Sequence, residues 1–144
     1  MNTENLRLVI ADWATLQTDA QGVRYAVFVI EQKIPVELEW DAADAQCVHA
    51  VAYDADGKAV GTGRLLPDAH IGRMAVLAEA RGQGVGAKIL RALMKEAQAR
   101  GDQAVCLNAQ QSAENFYLKE GFVRDGELFE EAGIPHVSMV YLFA

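Results

Sequence analysis

Residues 71–100 read IGRMAVLAEARGQGVGAKILRALMKEAQAR, in which a short apolar strand pattern leads into a glycine-rich turn and then a long amphipathic helix pattern. The glycines at positions 82, 84 and 86 can adopt positive φ and present backbone N–H groups without obstruction by a side chain. The free N–H groups and the positive dipole end of the following helix point at the same place. The turn therefore predicts an anion site of the kind that binds phosphate or pyrophosphate.

The spacing of these glycines argues against two common nucleotide motifs. It does not fit G-x-x-x-x-G-K-[ST], and G-x-G-x-G differs by one residue from the dinucleotide fingerprint. A tight connection between strand and helix, without any ligand, is the alternative that the local pattern leaves open.

Length and composition favour one compact domain over residues 1–144, of which 51% are hydrophobic. The sequence shows no basic leader followed by an apolar core, and no apolar run of the roughly 20 residues that span a bilayer. We therefore expect a soluble, cytoplasmic protein. Cys47 and Cys106 lie in separate apolar segments without C-x-x-C spacing, so we expect reduced thiols and no metal site.

The charge of the chain bears on its partners. The formal net charge is −7, with 20 acidic and 13 basic residues. Such a charge disfavours nucleic acid and anionic membranes as partners, and it would attract a cationic amine. The same acidity also keeps a protein soluble, which is the alternative explanation.

The apolar pattern along the chain predicts an α/β domain of the α+β type, with a mixed, mostly antiparallel sheet flanked by helices. We expect a hairpin around the turn Asp54–Gly57, and left-handed helix caps at Gly101 and Gly121. Strands are expected at Leu6–Ile10, Cys47–Tyr53, Ala59–Leu66, Ile71–Leu77, Ala104–Asn108, Phe122–Glu130 and Val137–Phe143, and helices at Leu16–Gln32 with an interruption at Gly22, Gly84–Arg100 and Ser112–Glu120.

Four stretches together resemble the GCN5-related N-acetyltransferases, a family that binds acetyl-coenzyme A. Arg81-x-x-Gly84-x-Gly86, after the strand Gly72–Val76, resembles the pyrophosphate loop of that family. Residues 24–32 (RYAVFVIEQ), Asn108–Phe122 and residues 133–136 (GIPH) follow the family in order and resemble its small bacterial ElaA-like branch. The resemblance covers nearly the whole chain, and it implies that the central strands 71–77 and 104–109 splay apart around the cofactor.

The resemblance implies a coenzyme A site along the strand and the turn. Backbone groups of the strand would bond the pantetheine arm, and one N–H would polarise the thioester carbonyl. Asn108 would bond the pantetheine, or else it closes a turn. The expected cofactor-binding residues are Met74, Ala75, Val76, Arg81, Gly82, Gln83, Gly84, Val85, Gly86 and Asn108.

Tyr117 is the catalytic residue that the resemblance implies. Its phenol, with an ordinary pKa of about 10, would protonate the departing thiolate at neutral pH. A packing role in a short helix is the alternative. For the acceptor side the sequence indicates Glu31, at the end of the first helix, and His136, in a turn-rich stretch. The base stays open among these two, Glu37, Glu39, His49, His70 and water.

The chain departs from the wider family in one respect. Where some members keep an acidic residue before the glycine turn, this chain has Arg73-Met74-Ala75. Arg64 and Arg73, on adjacent expected strands, could bind an acceptor carboxylate or phosphate, or pair with acidic residues of the chain.

The resemblance implies an enzyme that moves an acetyl group from acetyl-coenzyme A to a primary amine by direct attack. The acceptor would be a small molecule or a peptide, and the sequence leaves a homodimer open. One alternative is a domain that senses acyl-coenzyme A without turnover. Another is an interaction domain in which Gly82, Gly84 and Gly86 are only turn residues.

Overall fold

The computed structural model describes residues 5–144, so the first four residues of the expected domain lie outside the described part. Its strands are β1 (Arg7–Ala11), β2 (Val48–Tyr53), β3 (Ala59–Leu65), β4 (Ile71–Val76), β5 (Ala104–Gln110), β6 (Val123–Arg124), β7 (Phe129–Glu131) and β8 (Ile134–Leu142). Its α-helices are α1 (Trp13–Arg24), α2 (Val36–Glu39), α3 (Val85–Ala99) and α4 (Glu114–Lys119). A π-helix, Tyr25–Glu31, continues α1, and 3₁₀ turns lie at Ala42–Gln46, Ala78–Ala80 and Gln111–Ala113.

The strands form two antiparallel sheets that separate in the middle of the molecule. One sheet has the order β1-β2-β3-β4, and the other has the order β5-β8-β6, with β7 also paired to β8. In the described part of the chain, one isolated parallel bridge, between His70 and Cys106, joins them. The backbone N–H of Cys106 donates to the Ala69 carbonyl at 3.1 Å beside this bridge. The expected splayed arrangement of β4 and β5 is therefore confirmed.

A bulge bends β4 next to the point where the sheets part. The β3–β4 register passes from Thr62 opposite Ala75 to Arg64 opposite Gly72, so Gly63 faces two residues of β4. Arg73 sits in the bulge with φ of 47°, a value that non-glycine residues adopt at a cost. A bulge of this kind bends its strand away from regular pairing.

Two glycines on β3 let α3 lie directly on the first sheet. A Cβ at Gly61 would lie 2.8 Å from Ile89 Cδ1, and one at Gly63 would lie 3.0 Å from Ile89 Cγ2 and 3.1 Å from Leu93 Cδ1. Ile89 and Leu93 of α3 are fully buried there. This close packing holds the start of α3 beside the end of β4, which fixes the turn between them.

Near the start of the described residues, β1 is an edge strand, and Asp12 caps α1 by accepting from the Thr15 N–H at 3.0 Å. Two local expectations are confirmed. The hairpin of β2 and β3 forms as expected. Gly101 and Gly121 follow α3 and α4 with φ of 99° and 97°.

Three boundaries expected from the sequence are wrong. The first helix is not interrupted at Gly22, because Leu16, Ala20, Val23 and Val27 are buried along one face and that packing outweighs the preference of one glycine. The strand expected at Phe122–Glu130 is two short strands, since Gly126 turns the chain with φ of 125°. β5 extends to Gln110, so Asn108 lies within the strand and closes no turn.

Candidate functional site

The turn before α3 leaves a group of backbone donors without side-chain partners. Gly82 and Gly84 have φ of 77° and 82°, and Gly84 is the N-cap of α3. Among the described residues, no side chain caps this helix end. The first N–H groups of a helix have no partner inside the helix, so those of α3 are left for solvent or a ligand. Apart from Gly82 and its two neighbours in the chain, no heavy atom of residues 5–144 lies within 4 Å of the place where a Gly82 Cβ would stand.

The open edge of β4 lies next to this turn. β4 pairs with β3 on one side only, and its other edge departs from β5 beyond the bridge at His70. Met74, Ala75 and Val76 are therefore the part of β4 whose backbone borders the gap between the sheets. An extended ligand can hydrogen-bond to such an edge as an added strand would.

Arg81 lies at the turn, but its guanidinium is engaged. Its Nη1 and Nη2 donate to the two Glu31 oxygens at 2.6 Å each, and its Nε donates to the Val76 carbonyl at 2.9 Å. The hydrogen bonds from Arg81 hold the pKa of Glu31 below its ordinary value. Both side chains are 43% exposed, so this pair can be exchanged for a ligand at small cost.

This pairing changes the expectation for Glu31. The sequence indicated that Glu31 faces the acceptor, whereas the structure places its carboxylate against Arg81 at the glycine turn. The end of the π-helix brings it there, 50 residues away from Arg81 in the sequence. Contact between Glu31 and an acceptor stays a prediction.

Tyr117 lies on α4, directly after β5, and is almost completely buried. Its ring packs edge-on against Phe116 and Phe122, with centroid distances of 4.9 and 5.9 Å. Burial raises the pKa of Tyr117 to about 12. The phenol is therefore a proton donor throughout the neutral range. The ring contacts also fit the packing alternative, so the catalytic role stays a prediction.

Asn108 and Gln83 are the remaining polar side chains among the expected cofactor contacts. Asn108 is exposed on β5, and its Oδ1 accepts from the Ser138 hydroxyl at 3.1 Å. Gln83 has a buried Oε1 atom without a hydrogen-bond partner in the described residues. The sequence pattern gave no sign of this unpaired oxygen.

His136 lies within β8 and not in a loop. It is buried, its Nδ1–H donates to the Ile134 carbonyl at 2.7 Å, and its ring stacks on Phe129. Its neighbour on β5 is Gln110.

Gln32 and Gln110 form a hydrogen-bonded bridge between the end of the π-helix and β5. Their amides exchange hydrogen bonds of 2.9 and 3.3 Å, and Gln32 directly follows the π-helix. The bridge thus links the neighbour of His136 to the residue next to Glu31. No sequence signal pointed to either glutamine.

A buried cluster of charges lies on the α1 side of β3 and β4. Arg24 bonds Glu39, and it also donates to Asp44 at 2.9 Å. Arg64 donates to Asp44 at 2.8 Å and to Asp41 at 2.6 Å. Burial opposes ionisation of Asp44, but the hydrogen bonds and charges of Arg24 and Arg64 hold its pKa below the ordinary value. The expectation that Arg64 pairs with acidic residues of the chain is confirmed.

His49 and the two cysteines contribute no further reactive group. Burial lowers the pKa of His49, whose Nε2–H donates to the Asp44 carbonyl at 2.9 Å. Cys47 and Cys106 are free thiols, and burial raises the pKa of both. Within residues 5–144, no three His, Cys, Asp or Glu side chains are grouped to hold a metal ion. No helix in that range is long and apolar enough to cross a membrane.

Sequence comparison places the chain among acetyltransferases. Residues 17–143 match the family of the acetyltransferase (GNAT) domain. The Bacillus subtilis (strain 168) protein named uncharacterized N-acetyltransferase YjcF is 40% identical over 139 residues, which are 94% of this chain and 99% of that protein.

Solved structures agree with the sequence comparison. An acyl-CoA N-acyltransferase from Pseudomonas aeruginosa is 31% identical with a TM-score of 0.83, covering 94% of this chain and 98% of that one. Escherichia coli ElaA is 28% identical with a TM-score of 0.82, covering 94% of this chain and 98% of that one.

Proposed function

This chain belongs to the acetyltransferase (GNAT) family, and we propose that it transfers an acetyl group from acetyl-coenzyme A to a primary amine. The observation that carries the proposal is the position of the glycine turn, whose uncapped donors lie beside the open edge of β4. A pyrophosphate suits the first site and an extended amide chain suits the second. Coenzyme A carries both groups in one molecule.

The turn and Arg81 would hold the pyrophosphate. The backbone N–H groups at residues 82–86 supply neutral donors, and Arg81 supplies a charge once its guanidinium leaves Glu31. Separating Arg81 from Glu31 costs little free energy, because the pair is exposed to solvent. Glu31 would then serve to position Arg81 before the ligand arrives.

The open edge of β4 would orient the acetyl group. Backbone groups at Met74, Ala75 and Val76 can bond the pantetheine arm, and one N–H can stabilise negative charge on the carbonyl oxygen. Acetyl-coenzyme A supplies the activated acetyl group as a thioester. The exposed amide of Asn108 would bond the arm from the β5 side of the gap.

Tyr117 would protonate the sulfur that departs. As the C–N bond forms and the C–S bond breaks, the amine loses a proton to solvent and the sulfur gains one from Tyr117. Solvent then restores the phenol. A pKa raised to about 12 by burial keeps the proton on Tyr117 until this step.

The amine would approach from the end of the molecule where Gln32 meets Gln110. Of the two acceptor-side residues that the sequence indicated, we retain His136, which lies opposite Gln110. We assign Glu31 to the glycine turn instead, because its carboxylate lies against Arg81 there. Removal of the ammonium proton by water needs neither side chain. A small molecule and a peptide amine both fit this proposal.

Tyr117→Phe tests the chemical role of the tyrosine. We expect the turnover number to fall about a hundredfold to ten-thousandfold, with little change in acetyl-coenzyme A affinity. Stopped-flow acetyl transfer measures the chemical step, and Tyr141→Phe provides a matched loss of a hydroxyl on β8. A packing role alone would leave the rate within threefold of the parent and cost about 1 kcal/mol of stability.

A panel of amines, assayed for release of the coenzyme A thiol, tests transfer itself. We expect at least one class of primary amine to be acetylated with turnover. Binding of coenzyme A in a thermal-shift titration without transfer to any amine would support the sensor alternative. No shift at saturating ligand would contradict both, because ligand at 100 times its dissociation constant stabilises the fold by about 2.7 kcal/mol.

A further inference from the structure

Arg73 makes no hydrogen bond within residues 5–144, although it lies among charged groups. Its Nε is 3.8 Å from Glu39, and its Nη2 is 3.7 Å from Asp41. Both separations exceed hydrogen-bonding distance. The Nε atom is buried and has no partner in that range. Leaving such a donor unpaired is costly.

Arg64, on the neighbouring strand β3, differs from Arg73 in its hydrogen bonds and in its exposure to solvent. Arg64 also has a buried Nε without a partner in the described residues, but its Nη1 and Nη2 donate to Asp44 and Asp41, and its side chain is only 7% exposed. The side chain of Arg73 is 28% exposed, so its guanidinium can be reached from solvent. Of the two arginines that the sequence offered for an acceptor anion, the structure leaves Arg73 available and commits Arg64 to the fold.

The backbone at Arg73 carries a second cost. Its φ of 47° in the bulge of β4 is unusual for a non-glycine residue. Such conformations persist where the surrounding structure imposes them, and they concentrate at functional sites. Arg73 directly precedes Met74, so the bulge places this side chain beside the strand edge proposed to orient the acetyl group.

The local electrostatics favour a single negative charge at Arg73. Burial and the nearby charges of Arg64 and Arg24 lower the pKa of Arg73, and they outweigh the opposite effect of Glu39 and Asp41. A bound anion would offset both the burial of the Arg73 charge and its repulsion from Arg64 and Arg24. Because the carboxylates of Glu39 and Asp41 lie within 4 Å, a group with two negative charges would be repelled more than a carboxylate.

We infer that Arg73 binds a carboxylate carried by the acceptor, so that the substrates are small amines that also bear a carboxylate group. The inference rests on the proposed acetyl transfer. A guanidinium presents two parallel N–H donors that match the two oxygens of a carboxylate. Binding there would add a hydrogen bond, which Arg73 lacks within residues 5–144, to its longer ion pairs with Glu39 and Asp41, and it would hold the amine at a fixed distance from β4.

Matched substrates test the inference. We would measure kcat/KM for glycine, β-alanine and γ-aminobutyrate, for their primary amides, and for aminomethylphosphonate. In Arg73→Met, the carboxylate substrates should lose about 10- to 100-fold, whereas the amides should change less than about threefold. For each acid we would divide kcat/KM by the value for its amide and compare this ratio between parent and variant. Differences in amine basicity cancel in that comparison.

Two further variants separate charge, geometry and folding. Arg73→Lys keeps the positive charge but not the two parallel N–H donors of the guanidinium, so it should retain part of the preference for carboxylates. Arg91→Met removes an equal charge from the exposed face of α3, where Arg91 bonds Glu120, and it should leave the preference unchanged. Coenzyme A affinity should be equal in all the variants, which would show that each is folded.

The outcomes distinguish the inference from the proposed function. Acetylation without a carboxylate preference, or with the phosphonate favoured, would overturn the inference and leave acetyl transfer standing. If no amine reacts, binding of β-alanine and its amide to the protein saturated with coenzyme A decides. If the parent binds β-alanine more tightly than its amide and Arg73→Met abolishes that binding, the inference is supported although transfer fails. If the parent binds the acid and the amide equally, the inference is overturned.

Discussion

Two groups of charges flank β4, and they differ in their access to water. Arg81 and Glu31 pair on the surface at the glycine turn, each 43% exposed. Arg24, Glu39, Asp44 and Arg64 pair on the other side, where every one of them is buried. A surface pair contributes little and can be exchanged, whereas breaking a buried pair leaves an uncompensated charge. The comparison indicates that the exposed pair can give way to a ligand, whereas the buried group stabilises the fold.

Arg24→Met should have the largest effect on stability. The substitution leaves Glu39 buried without its main partner and takes one of two arginines from Asp44. We expect a loss of about 3–5 kcal/mol in the free energy of unfolding, measured by urea denaturation. Arg124→Met, which removes an exposed arginine, should cost far less. Equal losses in both variants would contradict the structural role of the cluster.

Arg81→Met should show the opposite pattern. Its pair with Glu31 is exposed, so the unfolding free energy should change by less than about 1 kcal/mol. Coenzyme A affinity should fall about 10- to 100-fold, because a charged hydrogen-bond donor to the pyrophosphate is lost. Isothermal titration calorimetry with coenzyme A measures this directly. Unchanged affinity would mean that Arg81 serves only its pair with Glu31.

Of these three substitutions, Glu31→Gln should have the smallest effect, and it tests whether the exposed pair competes with coenzyme A for Arg81. Without a carboxylate that competes for Arg81, coenzyme A affinity should rise, by about fivefold at most. The Michaelis constant for the amine should stay the same. A raised Michaelis constant for the amine, with coenzyme A affinity unchanged, would instead return Glu31 to the acceptor side, as the sequence indicated.

Local chemistry made part of this fold predictable. Gly84 and Gly101 mark the two ends of α3 because positive φ at a helix end favours glycine. The dipeptide Asp125-Gly126 is typical of a turn, and giving it more weight than the apolar residues on either side would have predicted the break in the strand expected at Phe122–Glu130. Residue patterns alone gave no sign of the gap between the sheets, which followed from the family resemblance.

The contacts that define the site were harder to predict, because they join distant parts of the chain. Glu31 meets Arg81 only after the π-helix and the glycine turn have formed. The bridge between Gln32 and Gln110 likewise joins two segments that share no periodic signal. Arg73 has positive φ because β4 bulges opposite Gly63. Arginine has no intrinsic preference for positive φ, so the residue type does not predict this conformation.

The central claim is that the glycine turn before α3 binds the pyrophosphate of coenzyme A. Gly84→Asp tests it against Gly57→Asp, since both glycines have φ of 82° and both substitutions add one negative charge. Gly57 lies in the hairpin turn between β2 and β3, where no ligand is proposed.

Titration of coenzyme A into both variants by calorimetry is the measurement. A like charge about 4 Å from the pyrophosphate costs roughly 4 kcal/mol at an effective dielectric constant of about 20, so Gly84→Asp should lose affinity by roughly a thousandfold. Gly57→Asp should bind as the parent does. Unchanged affinity in a folded Gly84→Asp variant would remove the turn from the coenzyme A site and contradict the account.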